Sequence, residues 1–253
     1  LMRKAQDITD AAFAEICTKI KAGMTEKQLC AELIYCLLKN GADGPSFSPI
    51  VVSGPNTSLP HGVAGERKIQ EGDFITMDFG AQYQGYCSDM TRTVAVGYAT
   101  EEMKKVYYTV LEAQNAGIAI ARPGVSGLDI HMAAANVIAD AGYGQYFQRR
   151  TGHFIGLEVH DFGDVSSANQ NLTQPGNVFS IEPGITIPGE FGVYVEDLVM
   201  ITEDGCEILN HYTHDLQILE FLRCDGFDLI YLVSQNLVED DDLESVADFQ
   251  TIQ

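Results

Sequence analysis

The chain has 253 residues, 45% of them hydrophobic, and its 15 basic against 36 acidic side chains leave a net charge of −21. That is enough apolar material for one large domain or two small ones, and too little positive charge for a surface that neutralises phosphates, which excludes a nucleic-acid partner. No apolar run reaches membrane-spanning length, and the six cysteines, with no C-x-x-C pair among them, point to reduced thiols and a cytoplasmic protein.

In chain order, small and apolar residues at 5, 8, 12, 16 and 20 give residues 2–21 a helical stripe that Gly23 closes. Thr25-Glu-Lys-Gln28 is a capping box for a second helix, whose buried face is Leu29, Leu33, Cys36 and Leu37 and which ends at Asn40-Gly41. Ile50 to Ser53 reads as a short buried strand, and 54–65 as a loop carrying Pro60-His61-Gly62. Residues 72–96 form a β-hairpin turning at Gln84-Gly85. Thr100 caps a third helix running to about Ala121, and Ser126-x-x-Asp129 opens a fourth that Gly142 ends. Residues 143–175 are loops and short strands; a second strand pair covers about 177–186 and 192–202, and 207–209 is a further strand. Beyond about 221 the pattern weakens and an acidic run begins at Glu239. One domain is therefore expected over 1–221, with a C-terminal extension over 222–253 whose last residues fray.

The first hairpin contains two acids that strand propensity does not explain, Asp78 and Asp89. Alternation puts Phe74, Thr76 and Asp78 on one face, and Ile75, Met77 and Phe79 on the other. Gly72-Asp-Phe-Ile-Thr-Met-Asp-Phe-Gly80 is echoed 104 residues later by Gly176-Asn-Val-Phe-Ser-Ile-Glu-Pro-Gly184, and Glu196 follows Glu182 as Asp89 follows Asp78. Two helices precede each strand pair. The pattern predicts an α+β chain of two pseudo-symmetric halves, each carrying two carboxylates. If the halves pack about a pseudo-twofold, four carboxylates meet. Bare, they would repel and take up protons; two divalent cations would balance them. His153, beside Gly152, is the candidate imidazole for such a site, and an oxygen-rich set with one imidazole suits Mn, Co, Fe or Zn. Two ions bridged by carboxylates would hold a water or hydroxide and stabilise the oxyanion formed when it attacks a carbonyl.

Asp78 with Asp89 eleven residues on, Gly152-His153, Ile181-Glu-Pro-Gly184 and Val195-Glu-Asp197 together resemble the pita-bread metallopeptidases. That fold is shared by methionine aminopeptidases, Xaa-Pro aminopeptidases and dipeptidases, and creatinase. The likeness covers roughly residues 1–220. It implies that Asp78 chelates one metal, that Asp89 and Glu196 bridge, and that His153 and Glu182 hold the second. Within the family, Ser53-Gly-Pro-Asn-Thr-Ser-Leu-Pro-His61-Gly, Ser88-Asp-Met-Thr-Arg-Thr93, Gly156-Leu-Glu-Val-His160-Asp and Val195-Glu-Asp-Leu-Val199 resemble the Xaa-Pro branch.

The resemblance implies a dinuclear exopeptidase that hydrolyses the N-terminal Xaa-Pro bond with a metal-bridged hydroxide. The implied ions are manganese first, with cobalt or zinc as alternatives. The implied partners are peptides with a free N-terminus, with a homodimer as the candidate assembly. His61 and His160 would hydrogen-bond the scissile carbonyl or the tetrahedral intermediate, and Glu182 would also carry the proton to the leaving nitrogen. Tyr194 stands where Xaa-Pro enzymes usually have Arg, two residues before the last Glu. A phenol offers no bidentate cationic fork, and Arg149 is the candidate replacement charge. Many Xaa-Pro enzymes carry a separate N-terminal domain; the chain begins where the catalytic domain would. A methionine aminopeptidase and a non-catalytic pita-bread binding module are the competing readings.

Overall fold

The computed structural model describes residues 1–59, 61–147, 150–224 and 227–234. The first half runs α1 (Met2–Cys17), α2 (Glu26–Lys39), β1 (Gly44–Pro45), β2 (Ile50–Ser53), a 3-10 turn (Gly54–Ser58), β3 (Phe74–Phe79), β4 (Ala81–Tyr83), β5 (Tyr86–Cys87) and β6 (Met90–Val96). The second half runs α3 (Glu101–Ile120), α4 (Gly127–Asp140), β7 (Arg150–His153), β8 (Asp164–Ser166), β9 (Val178–Ile181), β10 (Gly184–Ile187), β11 (Phe191–Tyr194) and β12 (Asp197–Ile201). β13 (Cys206–Ile208), β14 (Gln217–Cys224) and β15 (Phe227–Ser234) follow.

The helices start where their caps require. Thr25 Oγ1 accepts from Gln28 N and Gln28 Oε1 accepts from Thr25 N, which closes the capping box. α1 stops at Cys17, short of the Ile20 that its apolar stripe reaches. Thr18 donates its hydroxyl to the Glu15 carbonyl at 2.7 Å, a local bond that competes with helix continuation. Ile20 is nevertheless buried.

The expected hairpin exists in nested form. β3 pairs antiparallel with β6 from Phe74↔Ala95 to Phe79↔Met90, while β4 and β5 turn at Gln84-Gly85 and join β1 in a separate sheet. The exit lies at Gly80, where a Cβ would sit 1.8 Å from the Ser88 carbonyl oxygen; only glycine lets the two segments pass this closely. The second copy repeats the device: β9 pairs antiparallel with β12, and β10 with β11 forms the outgoing hairpin.

Alternation along β3 holds. Ile75, Met77 and Phe79 pack into one core with Phe13, Leu33 and Leu37 of α1 and α2. Phe74 enters a second core with Val106, Val110, Ile185 and Val193. The β3–β6 sheet therefore separates the first helix pair from the second half, and Thr76 and Asp78 are left facing that second half. β14 pairs parallel with β6 and antiparallel with β15, giving the order β15-β14-β6-β3-β2. The extension expected from 222 thus begins within β14, and residues 235–253 lie outside the described residues. Cys17, Cys30, Cys36, Cys87 and Cys206 are free thiols. Among the described residues no helix is long and apolar enough to cross a membrane.

One surface cluster ties α1 to α2. Glu15 accepts from Lys39 Nζ at 2.8 Å and lies 3.0 Å from Lys19 Nζ. Lys39 first, then Lys19, hold its carboxyl down at about 2. A depressed carboxylate stabilises the fold fully above its ordinary pKa and loses that contribution as pH falls through its folded value. Solvent screens these side chains, so the contribution is about 0.5–1 kcal/mol. Glu15→Gln should lower the unfolding free energy from urea titration by that amount at pH 7, with a correspondingly lower midpoint. The midpoints of the two proteins should converge as pH falls from about 5 toward 2, and also in 1 M salt; a difference independent of pH would contradict this assignment.

Candidate metal centre

Each copy of the repeat delivers its two acids to the same end of its strand pair. Asp78 lies one residue before the end of β3 and is paired with Thr91, while Asp89 immediately precedes β6. Glu182 immediately follows β9 and Glu196 immediately precedes β12, whose Asp197 is paired with Ile181. The two copies are then joined directly. Thr91 donates its hydroxyl to Glu196 Oε2 at 2.6 Å and accepts the Glu196 N–H at its carbonyl, 3.1 Å away. Thr93 Oγ1 bonds both the N–H and the C=O of Tyr194.

His153 ends β7, which lies against β9: Glu182 N donates to Thr151 O at 2.7 Å and His153 N to Ser180 Oγ at 3.0 Å. Its Nδ1 lies 3.2 Å from the Phe154 carbonyl and must donate there. Its Nε2 faces the acids, 3.4 Å from Asp89 Oδ2 and 3.7 Å from Glu182 Oε1, and is the nitrogen a metal would take from the neutral ring. One ligand atom each from Asp89, His153 and Glu196 falls within 4.8 Å of the other two, and all three residues are buried. Asp78 and Glu182, both half-buried, line the same cavity.

The electrostatics show a cluster short of positive charge. Burial, and then the neighbouring Asp89 and Glu182, hold Asp78 well above the usual carboxylate range. Glu196 is raised well above it too, by burial and then by Asp89 and Glu182. Burial also raises Glu182, against the pull of His153. Burial opposes the charged form of His153, but the surrounding carboxylates outweigh it and the imidazole is raised. Burial and the adjacent His153 lower His160, whose ring meets that of His153 edge-on at 4.2 Å. Neither Asp89 Oδ1 nor Glu196 Oε1 has a hydrogen-bond partner, although both are buried. An orphaned acceptor of this kind costs about 1–3 kcal/mol, more when charged. Two such oxygens beside an imidazole ring are a donor set that fits divalent cations.

Two cavities open onto this cluster. The smaller, about 150 Å³, contains all five candidate ligands together with His61, His160 and Arg150. The larger, about 380 Å³, shares Asp78, Glu182 and His61 with it, and its wall also includes Val52, Thr76, Phe147 and Tyr194. The structure thus brings together every expected site residue except Arg149, which lies outside the described residues. His131 and His214 have structural partners, Thr151 and Asp197 respectively.

Arg150 escaped the sequence reading. Its Nη2 is 3.9 Å from Glu182 Oε1. Strand alternation would put residues 150 and 153 on opposite faces. The register between β7 and β8 slips between Arg150 and Gly152, and this bulge turns Arg150 to the same cavity as His153. No residue pattern announces the bulge.

Two strand-hairpin-strand units closing their acids on one cleft, each behind a helix pair, define the pita-bread architecture, here with a metal-type donor set. The chain belongs to metallopeptidase family M24, whose model matches residues 1–203. The chain is similar to an Xaa-Pro dipeptidase of Pyrococcus horikoshii, 40% identical over 85% of this chain and 62% of that protein. It is also similar to the solved X-Pro aminopeptidase of Thermotoga maritima, with 41% identity, a TM-score of 0.84, and coverage of 86% of this chain and 62% of that one. The solved Xaa-Pro dipeptidase from Bacillus anthracis has 42% identity and a TM-score of 0.85, over 86% of this chain and 61% of that one. The chain therefore spans about three-fifths of the length of these relatives.

Gly152 provides a test of the site's geometry. A Cβ there would lie 1.9 Å from the Ser180 carbonyl oxygen, so an alanine must push β7 off β9 and carry His153 with it. Gly152→Ala should lose about 1–3 kcal/mol of stability to overpacking and bind Mn at least about tenfold more weakly, by titration calorimetry. Gly205→Ala, which meets no atom closer than 3.9 Å, is the control. Native-like Mn affinity for Gly152→Ala would contradict the placement of His153.

Proposed function

We propose that this chain is a dinuclear metal-dependent exopeptidase that releases the N-terminal residue from peptides with proline in second position. The observation that carries the reading is the pair of buried, unpartnered oxygens on Asp89 and Glu196 beside the ring of His153. In this reading Asp78, Asp89, His153, Glu182 and Glu196 hold two divalent ions, with manganese the leading candidate and cobalt or zinc the alternatives. When bound, the ions supply Lewis-acid activation of water and of the scissile carbonyl.

The chain's own residues supply the rest. His61 and His160 stand on the cavity wall and orient the carbonyl by hydrogen bonding. His160, lowered by burial and by His153, is neutral at pH 7 and offers one N–H donor. Glu182 is the more open of the carboxylates near His153, with its side chain 23% exposed against 4% for Asp89. It faces the cavity and carries a proton to the leaving nitrogen. That nitrogen is a secondary amine with a fixed ring, so a wall that fits the ring selects the substrate by shape. Tyr194 lines the larger cavity and is read as a substrate contact, with Arg149, which lies outside the described residues, as the candidate replacement charge. The free thiols support a reducing compartment such as the cytoplasm.

The test is a peptide panel after chelation. Purified protein should lose hydrolysis of Ala-Pro-Ala in chelator, regain it with Mn, and bind about two ions per chain. Asp89→Ala should cost more than about 100-fold in kcat/KM and not recover with Mn. Faster turnover of Met-Ala-Ser than of Ala-Pro-Ala would favour a methionine aminopeptidase instead. Hydrolysis indifferent to both chelator and Asp89→Ala would end the metal reading.

A further inference from the structure

Glu26 is fully buried in the first turn of α2. The capping box above it needs only Thr25 and Gln28, and an exposed acid would serve the helix dipole as well. Its burial has another use. Its carboxylate accepts four hydrogen bonds, and all four come from the two ends of the segment that carries His61. Oε1 accepts from Ser53 N at 2.8 Å, Ser53 Oγ at 2.9 Å and Asn56 Nδ2 at 2.9 Å; Oε2 accepts from Gly65 N at 3.1 Å. Arg67 completes the arrangement: it donates to Ser53 Oγ at 2.6 Å and pairs with Asp73 through both Nη atoms. A buried charge with this many donors, a helix N-terminus and a nearby guanidinium is well compensated.

Between the clasped ends, His61 holds φ at +55°. For a non-glycine residue this left-handed conformation costs about 1 kcal/mol or more, and it persists only where surrounding contacts over-determine it. The segment's middle is also pinned to the second half, since Gly192 N donates to Thr57 Oγ1 at 2.7 Å. His61 itself lines both cavities at the carboxylate cluster. The loop is therefore bolted on one side by Glu26 and on the other by β11, with the strained histidine at its tip.

We propose that Glu26 is a positioning residue for the reaction: it acts through the 53–65 loop to hold His61 at the cavity wall. This rests on the reading of His61 as a substrate-binding side chain. Glu26→Gln keeps the shape of the side chain but sets an NH2 against backbone or side-chain donors, so one end of the clasp opens.

Mn bound per chain should stay native in Glu26→Gln, because no candidate ligand lies on the loop. Its kcat/KM on Ala-Pro-Ala should fall roughly tenfold or more. In proton NMR spectra of metal-free protein, the His61 ring signals, assigned against His61→Ala, should shift or broaden while those of exposed His211 do not. In a His61→Ala background, Glu26→Gln should cost no further activity, because the two act in series. Native activity for Glu26→Gln, unchanged His61 signals, or losses that multiply in the double variant would each overturn the proposal. A fully active His61→Ala would overturn it together with the reading of His61, and chelator-sensitive activity would then leave the metal reading standing. If Glu26→Gln does not fold, Asn56→Ala removes a single arm of the clasp. It should show the same pattern at roughly two- to fivefold, and multiplying losses there would overturn the proposal equally.

Discussion

The guanidinium of Arg92 joins the two halves of this molecule immediately behind the carboxylate cluster. It lies on β6, in the first copy of the repeat, and is 2% exposed. Nη1 donates to the carbonyls of Thr91 and Glu196, at 3.1 and 2.6 Å; Nη2 donates to Asp197 Oδ1 at 2.7 Å and to Tyr212 O at 3.3 Å. Glu196 and Asp197 belong to the second copy. One buried side chain thus fixes the backbone of the residue that carries the last acid of the cluster. Asp197 is as buried as a carboxylate can be, which opposes its charge, yet Arg92 and then His214 hold it below the usual range. Removing one partner of such a pair typically costs about 3–5 kcal/mol, because the other charge is left uncompensated.

That use of Arg92 sharpens the problem at the cluster itself. The buried cation is committed to Asp197, and Arg150 stands only at the rim, 3.9 Å from Glu182. Asp78, Asp89, Glu182 and Glu196 therefore share a cleft with His153 as their nearest counter-charge. Two carboxylates about 4 Å apart repel by about 4 kcal/mol at an effective dielectric of about 20. The raised Asp78 and Glu196 and the orphaned oxygens of Asp89 and Glu196 are the two visible results of that repulsion. The fold tolerates the arrangement because hydrogen bonds from Thr91 and Arg92 hold Glu196 in place whatever its charge. The proposed ions would supply what the protein withholds.

Much of this was readable from the residues. The echo between 72–80 and 176–184 groups the four acids that line one cavity in the structure, because each acid sits at a strand end and strand ends of a duplicated unit meet by symmetry. Period-two alternation put Asp78 on the face away from α1 and α2, where it lies. Other features were hidden for reasons that can be named. The hairpin's outer strands leave for a second sheet because Gly80 permits a crossing, a contact with Ser88 that no local pattern records. Arg150 was missed because a bulge breaks the very alternation used to read the strand. Glu26 is hidden because it also fits a helix start, and nothing in Thr25-Glu-Lys-Gln28 says that its partners lie at 53, 56 and 65.

The sequence by itself determined the family, the two-copy plan and the acids of the cluster. Those depend on residue identity and short-range periodicity, which the chain carries along its length. The tertiary structure alone decided which oxygens are left without partners, which cation is already committed, and which loop is clasped. Those are questions of where distant segments bring their donors and acceptors. A hydrogen bond spanning 105 residues, such as Thr91 to Glu196, depends on the packing of both halves together and leaves no trace in either segment read alone.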